Sequence, residues 1–343
     1  MRQSFPLSDH CDGQRFFNPG PNRPARGLMQ VLRWRLRGGR AAWPVEVSDP
    51  EAAPPPDAVD SGSVAITFIN HASFLIRLPC GVVLTDPIFS ERCSPVSWAG
   101  PRRARRPGVA LADLPRPDVV LLSHNHYDHM DFPTLRALQA RHAPRFVTML
   151  GNARGLAGLG IVATELDWWQ AVSVGPLRIT ATPARHFSAR TPFDRNRALW
   201  GGFMVGGAAG TVLFAGDSGA GPHWGDIRTR LGAPDVALLP IGAYEPRWFM
   251  APVHMDPVEA VQAHLALGAG RSVGMHFGTF HLTDEAIDAP LRGLKEACRQ
   301  FGVDKFETLG FGETRVFELG GHRPDGADRL CRSANGVNTG EAG

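Results

Sequence analysis

Ser123-His124-Asn125-His126-Tyr127-Asp128-His129-Met130-Asp131 follows directly on the apolar run Asp118-Val119-Val120-Leu121-Leu122. A short run of β-branched and apolar residues reads as a buried strand, so the polar cluster belongs at that strand's carboxyl end, where open α/β sheets place their chemistry. His124 and His126, two apart on an extended turn, can point to one side. Asp128 and His129 continue around the bend toward a second position. Imidazole and carboxylate are the usual non-thiolate ligands of borderline ions such as zinc. The stretch therefore offers two half-built sites, a much more specific signal than a lone histidine pair.

Composition sets the bounds. A chain of 343 residues can bury a sizeable core, and 43% hydrophobic with 20% charged residues fits a globular protein. Only Lys295 and Lys305 are lysines, so Arg supplies nearly all the positive charge; the net charge of +3 is too small to demand an anionic partner. No nucleic-acid partner is expected, because there is neither a broad basic surface nor an added binding domain. The five cysteines are scattered without a Cys-x-x-Cys spacing, which argues against a disulfide framework and a thiolate zinc site. With no signal-type apolar segment and no long uninterrupted apolar run, the expected location is the cytoplasm, with peripheral association at the inner membrane face as the alternative.

Along the chain, residues 1–63 read as an N-terminal region and 64–319 as the domain proper. Residues 1–26 are expected to form an extended arm. Gly27 to Arg40 mixes apolar residues with arginines; it suits either an anionic membrane surface or an element packed on the domain with its arginines in water. Residues 48–63, with Pro50, Pro54, Pro55 and Pro56, read as a linker. Val64 to Asn70, Ser73 to Leu78 and Val82 to Asp86 read as a meander. His71, at one turn, reads as a hydrogen-bonded turn residue. Asp86, before a proline, suits equally a turn and a carboxylate that orients a metal-bound imidazole. Arg102, Arg103, Arg105 and Arg106 read as a solvated loop, with a grip on phosphate as the alternative. A helix is expected from Asp131 to about Arg141, another from the capping box Asp256-Pro257-Val258-Glu259, and a third starting at Thr283-Asp284-Glu285. Many strands and few helices favour two packed sheets. Residues 320–343 are polar and Gly-rich and are expected to be a disordered tail.

Three further sites end strand-like runs: His186 after Leu177–Ala181, Asp217 after Thr211–Ala215, and His276 after Ser272–Met275. Together with the first motif they resemble, in type and order, the metallo-β-lactamase fold hydrolases. That resemblance implies a four-layer αββα sandwich of two mixed β-sheets. It also implies two zinc ions, with iron or manganese as alternatives: His124, His126 and His186 hold one, Asp128, His129 and His276 the other, and Asp217 bridges them. A carboxylate can give one oxygen to each cation and offset their repulsion, and a hydroxide held by both ions would be a nucleophile near neutral pH.

Asn70-His71-Ala72-Ser73, the run from Pro240 through Tyr244, Arg247 and Trp248 to Met250, His254-Met255-Asp256-Pro257 and His276-Phe277-Gly278 narrow the match. They are similar to segments of N-acyl-phosphatidylethanolamine-hydrolysing phospholipase D and its bacterial relatives, over roughly residues 60 to 316. The resemblance implies a phosphodiesterase acting on a lipid or small phosphodiester. It gives Asp128 and Asp217 the attacking proton, sets His254 near the leaving group, and points to Tyr244, Arg247 and Trp248 as substrate contacts. Phe277 stands where this family is expected to carry a tryptophan. A lactonase of the same fold would share every ligand but need a small polar pocket; a non-catalytic metal-binding, membrane-associated protein is the rival of another class. The oligomeric state is left open, with a homodimer compatible.

Overall fold

The structure, a computed structural model, describes residues 4–20, 28–207 and 210–320. The expected tail, apart from Gly320, lies outside the described residues. Helix α1 (Leu28–Arg37) precedes the meander β1 (Ser63–Asn70), β2 (Ser73–Leu78) and β3 (Gly81–Thr85). β4 (Val119–Leu122), α2 (Phe132–His142), β5 (Arg145–Met149), α3 (Ala153–Ala157) and β6 (Ala163–Leu166) complete the first half. The second half runs through β7 (Ala171–Val174), β8 (Leu177–Thr182), β9 (Gly202–Gly207), β10 (Gly210–Phe214), α4 (His223–Leu231), β11 (Val236–Pro240) and α5 (Arg247–Met250). It ends with α6 (Pro257–Leu267), β12 (Arg271–Met275), α7 (Ala289–Phe301), β13 (Phe306–Glu307) and β14 (Thr314–Glu318).

These strands form two seven-stranded sheets, β14-β1-β2-β3-β4-β5-β6 and β13-β12-β11-β10-β9-β8-β7. Both are mixed: β3 to β6 and β10 to β13 run parallel, and the other pairs are antiparallel. The period of two along β4 explains the layering. Val119 and Leu121 join Phe68, Ile179, Phe203 and Phe214 in the core between the sheets, whereas Val120 and Leu122 face Leu135 and Leu138 of α2. Residues of α4, α6 and α7 pack on the other sheet. The expected four-layer sandwich is what the chain forms.

Several local expectations need correction. The helix expected from Thr283 begins instead at Ala289, because the acidic residues there are committed elsewhere. Asp284 accepts the Trp34 indole N–H (2.7 Å), and the Glu285 carboxylate accepts the N–H groups of Ala243 (2.7 Å) and Glu245 (3.1 Å). Asp131 precedes α2 as expected, but its carboxylate takes the N–H groups of Phe89 and Ser90 instead of capping the helix backbone. The arginine loop is solvated only in part, since Arg102 and Arg106 are exposed. Arg103 is buried and donates to the carbonyls of Ile88 and Ser90, Arg105 pairs with Asp49, and Arg102 pairs with Glu91.

The described part of the expected arm, residues 4–20, is seated on the domain. Cys11, Phe16 and His10 are buried, with Phe16 against Phe5 and His10 stacked on Trp168 at 4.3 Å. The two ring nitrogens of His10 meet Asp9 (2.6 Å) and Asp167 (2.8 Å). Burial opposes the charge on this ring, but the two carboxylates outweigh it and raise the pKa above the ordinary 6.5. A raised folded-state pKa stabilises fully below the unfolded value and is lost as pH rises through the folded one. The stability difference between wild type and His10→Gln, read from denaturant midpoints, is therefore expected to be largest below pH 6.5 and to shrink at higher pH. A difference independent of pH contradicts this.

Candidate metal centre

The chemistry-bearing side chains gather where strands of both sheets end. His71 follows β1, Asp86 follows β3, and His124 to His129 follow β4; from the other sheet, His186 follows β8, Asp217 follows β10 and His276 follows β12. His71 (φ +48°), Asp86 (φ +31°) and His276 (φ +63°) all sit in the left-handed region, at a cost of about 1–3 kcal/mol each. Such strain persists only where the surroundings over-determine it. Gly216, before Asp217, has φ +63°, and a Cβ there would lie 2.6 Å from the Gly201 carbonyl, so the turn presenting Asp217 requires glycine.

Two donor groups result. Nε2 of His124 and Nε2 of His186 lie 2.9 and 3.1 Å from Nδ1 of His126, so three imidazole nitrogens converge on one point. Asp128, His129, His276 and His71 form the second group. Asp217 lies between them. Its Oδ2 is 3.1 Å from His129 Nε2, 3.2 Å from His276 Nε2, and 3.9 Å from Nε2 of both His124 and His186. The sequence-derived set His124, His126, Asp128, His129, His186, Asp217 and His276 is thus brought together in one place.

Hydrogen bonds fix which ring nitrogen faces inward. His129 Nδ1 donates to Asp86 Oδ2 (2.7 Å), and His186 Nδ1 donates to the Val253 carbonyl (3.0 Å). His124 Nδ1 contacts Ser123 Oγ (2.8 Å), whose hydroxyl turns to Asp86. Asp86 therefore does orient imidazoles, while also ending its strand. His71 was expected to be a turn residue only, yet its Nε2 lies 3.0 Å from Asp128 Oδ2. Its adjacency to Asp128 depends on β1 and β4 sharing a sheet end, which local sequence does not show.

The electrostatics match this arrangement. Burial pushes the imidazoliums of His124 well below the usual range, of His126 to about 3 and of His186 to about 4, leaving three neutral lone-pair donors. Burial opposes charge on His129 and His276 too, but Asp217 and Asp128 outweigh it; His129 lies well above the ordinary value and His276 at about 9. Against their own burial, Asp128 and Asp217 are held well below the carboxylate range by His129 and its neighbours. Nε2 of His129, both ring nitrogens of His276 and Oδ1 of Asp217 are buried without hydrogen-bond partners. Buried polar atoms in that state cost free energy unless something else meets them, and a nitrogen and carboxylate set fits divalent ions. Such ions would displace the protons on the second group.

His254 is buried 5.0 Å from the His186 ring and 5.3 Å from that of His276, with Nδ1 unpartnered, and burial keeps its pKa well below the ordinary value. It borders a cavity of about 1180 Å³ whose floor is the donor cluster. Tyr244, Arg247 and Trp248 do not line this cavity. Arg247 pairs with Glu259 (2.6 Å) and Asp256 (3.3 Å) and donates to the carbonyl of His254 (3.0 Å), so it braces His254. The wall is formed instead by their neighbours Phe249 and Met250 and by Val31 and Trp34 of α1, with Trp34 stacked on Phe249 at 5.2 Å.

Comparison with known proteins accords with the geometry. Residues 82–277 match the beta-lactamase superfamily domain. An uncharacterized protein of Mycobacterium tuberculosis is 36% identical over 80% of this chain and 74% of its own length. N-acyl-phosphatidylethanolamine-hydrolyzing phospholipase D 1 of Caenorhabditis elegans is 36% identical over 74% of this chain and 76% of its own. Among solved structures, a metallo hydrolase from Ignicoccus hospitalis superposes with a TM-score of 0.58 at 24% identity, covering 75% of this chain and 99% of that one; at that identity the likeness shows the fold. With seven donors converging at the strand ends of a double seven-stranded sandwich, the chain belongs to the beta-lactamase superfamily and is a metal-dependent hydrolase of the metallo-β-lactamase fold.

Proposed function

We propose that the protein is a phospholipase D-type phosphodiesterase acting on N-acyl-phosphatidylethanolamine or a related lipid phosphodiester, with two zinc ions as its cofactors. One observation carries this reading: the donor cluster forms the floor of a cavity whose upper wall is apolar. Val31, Trp34, Phe249, Met250 and Leu282 line it, in a volume large enough for an amphiphile with long chains. A lactonase would need a small polar pocket. The worm relative, 36% identical over 270 aligned residues, is named for this activity.

Two ions held by the seven donors would supply Lewis-acid polarisation of a phosphoryl oxygen and water activated near neutral pH. The protein's own residues do the rest. Asp128 and Asp217 remain ionised and take the proton of the attacking water, with His71 holding Asp128 in place. The guanidinium of Arg195, stacked on Phe187 at 4.4 Å, lies on the cavity wall and suits the phosphate's charge. His254, through its unpartnered Nδ1, hydrogen-bonds the leaving oxygen. A P–O bond forms to water, the P–O bond to the N-acylethanolamine breaks, the proton taken by the carboxylate passes to the leaving oxygen, and phosphatidic acid remains.

A lipid substrate requires an approach to a bilayer, and no described helix is long and apolar enough to cross one. The cavity is flanked by exposed apolar side chains: Leu36 follows Trp34, Trp98 precedes Pro101, Phe193 precedes Arg195 and Trp248 precedes Phe249, each within three residues of a lining position. In this reading they touch the membrane while the exposed Arg33 of α1 adds salt-sensitive attraction of about 1 kcal/mol. This is peripheral association.

His126→Ala is expected to remove one metal equivalent. It should cut hydrolysis of N-acyl-phosphatidylethanolamine by more than the roughly 10–100-fold that follows loss of an outer hydrogen-bond partner. Undiminished turnover in that variant or after chelation contradicts the metal-dependent reading; activity on lactones but on no phosphodiester contradicts the substrate.

The double variant Trp98→Ala, Phe193→Ala should keep its turnover of a soluble nitrophenyl phosphodiester while losing co-sedimentation with anionic vesicles at low salt. Equal sedimentation of variant and wild type rules out the proposed contact face.

A further inference from the structure

Asn18 lies outside the region that matches the superfamily domain, yet it grips the residue at one edge of the metal centre. Its Nδ2 donates to the carbonyl of His186 (2.9 Å), and its Oδ1 accepts the N–H of the same residue (3.2 Å). The same Oδ1 accepts the indole N–H of Trp200 (3.1 Å). Next to it, Arg185 donates to the carbonyl of Pro19 (3.1 Å). Both backbone polar groups of His186 are therefore met by one side chain. An amide carries its donor and its acceptor on separate atoms, so it can meet the N–H and the C=O of one residue at once; a carboxylate has no donor, and a hydroxyl has both roles on a single oxygen.

Around His186 the loop after β8 is also tied by Arg185 N–H to Ser218 Oγ (2.9 Å), Gly219 N–H to the Arg185 carbonyl (2.9 Å), the His186 ring to Val253 (3.0 Å), the Trp200 indole N–H to the Ala184 carbonyl (3.1 Å) and Ser188 Oγ to the Ala198 carbonyl (2.6 Å), but none of these meets the backbone N–H or C=O of His186. The ring bond sets the tautomer, and the two backbone groups of His186 itself are met by Asn18. Asn18 is itself anchored by the buried Phe16, whose N–H donates to the Asn196 carbonyl (2.8 Å), and by Phe17, whose N–H donates to that of His10 (2.9 Å). Phe17 and Asn18 also line the cavity.

We infer that Asn18 is a positioning residue for the metal centre: it fixes the His186 backbone, so that the N-terminal segment completes the donor group His124, His126 and His186. The inference rests on His186 being a ligand.

The test uses the full chain, stripped of metal, in four forms: wild type, Asn18→Ala, Asn18→Asp and His186→Ala. Each is titrated with Zn2+ against a chromophoric chelator, and the visible spectrum is recorded after loading with Co2+. Trp200 keeps the Ala184 carbonyl as a partner (3.1 Å), and Asn18→Asp is isosteric, so at least one Asn18 variant folds. His186→Ala should lose one zinc equivalent. The Asn18 variants should bind one of two zinc equivalents about 10–100-fold more weakly and show altered Co2+ bands, the other equivalent being unchanged. A role confined to gluing the segment down would lower the melting temperature while zinc affinity and spectrum stay at wild-type values; that result overturns the inference. If His186→Ala retains both equivalents, the ligand reading itself falls, and the inference with it.

Discussion

One buried carboxylate oxygen, Oδ2 of Asp217, stands within 3.9 Å of four imidazole nitrogens from three different loops. Crowding that many imidazoles away from water is unfavourable for any charge they carry, and their mutual repulsion adds to the cost. Asp217 and Asp128 supply the compensating charge. Because partners this close titrate together, the cluster behaves as one electrostatic unit, in which His124, His126 and His71 are kept neutral while His129 and His276 hold protons that a divalent ion would replace.

Assembling that unit governs the fold around it. No single sheet end could supply all seven donors, so the sandwich brings the ends of both sheets together, with β4 delivering four and β8, β10 and β12 one each. The strained backbones of His71, Asp86 and His276 are tolerated there because their side chains or flanking amides are tied on several sides. His71 N–H reaches Thr279 Oγ1 (2.9 Å), Ser123 N–H reaches Asp86 (2.8 Å), and His276 N–H reaches the His71 carbonyl (2.8 Å).

Over this floor the cavity wall comes from segments remote in sequence. Trp34 is held by its stack on Phe249 and its bond to Asp284, so the N-terminal helix becomes part of the wall. Arg247 and Glu285 are spent on holding the loops around His254 and Ala243 in place. A wall fixed in this way is rigid as well as apolar, which spares a ligand the cost of ordering loose side chains on binding.

The local pattern was enough to specify the strand β4 and the metal-binding run after it, because a buried strand and a His-x-His-x-Asp-His turn are encoded in contiguous residues. The order of His186, Asp217 and His276, each behind an apolar run, made the superfamily legible, and the alternation within strands made two sheets legible. Tertiary structure alone decided the partners of those residues. His71 meets Asp128 across 57 positions, Asp86 meets His129 across 43, and Asn18 meets His186 across 168. It also decided that Arg103 and Arg247 donate to backbone carbonyls, since what a guanidinium meets depends on what the fold sets beside it. Hydrogen bonds between distant segments leave no periodic trace in the chain; they exist only once the sheets have fixed which strand ends are neighbours.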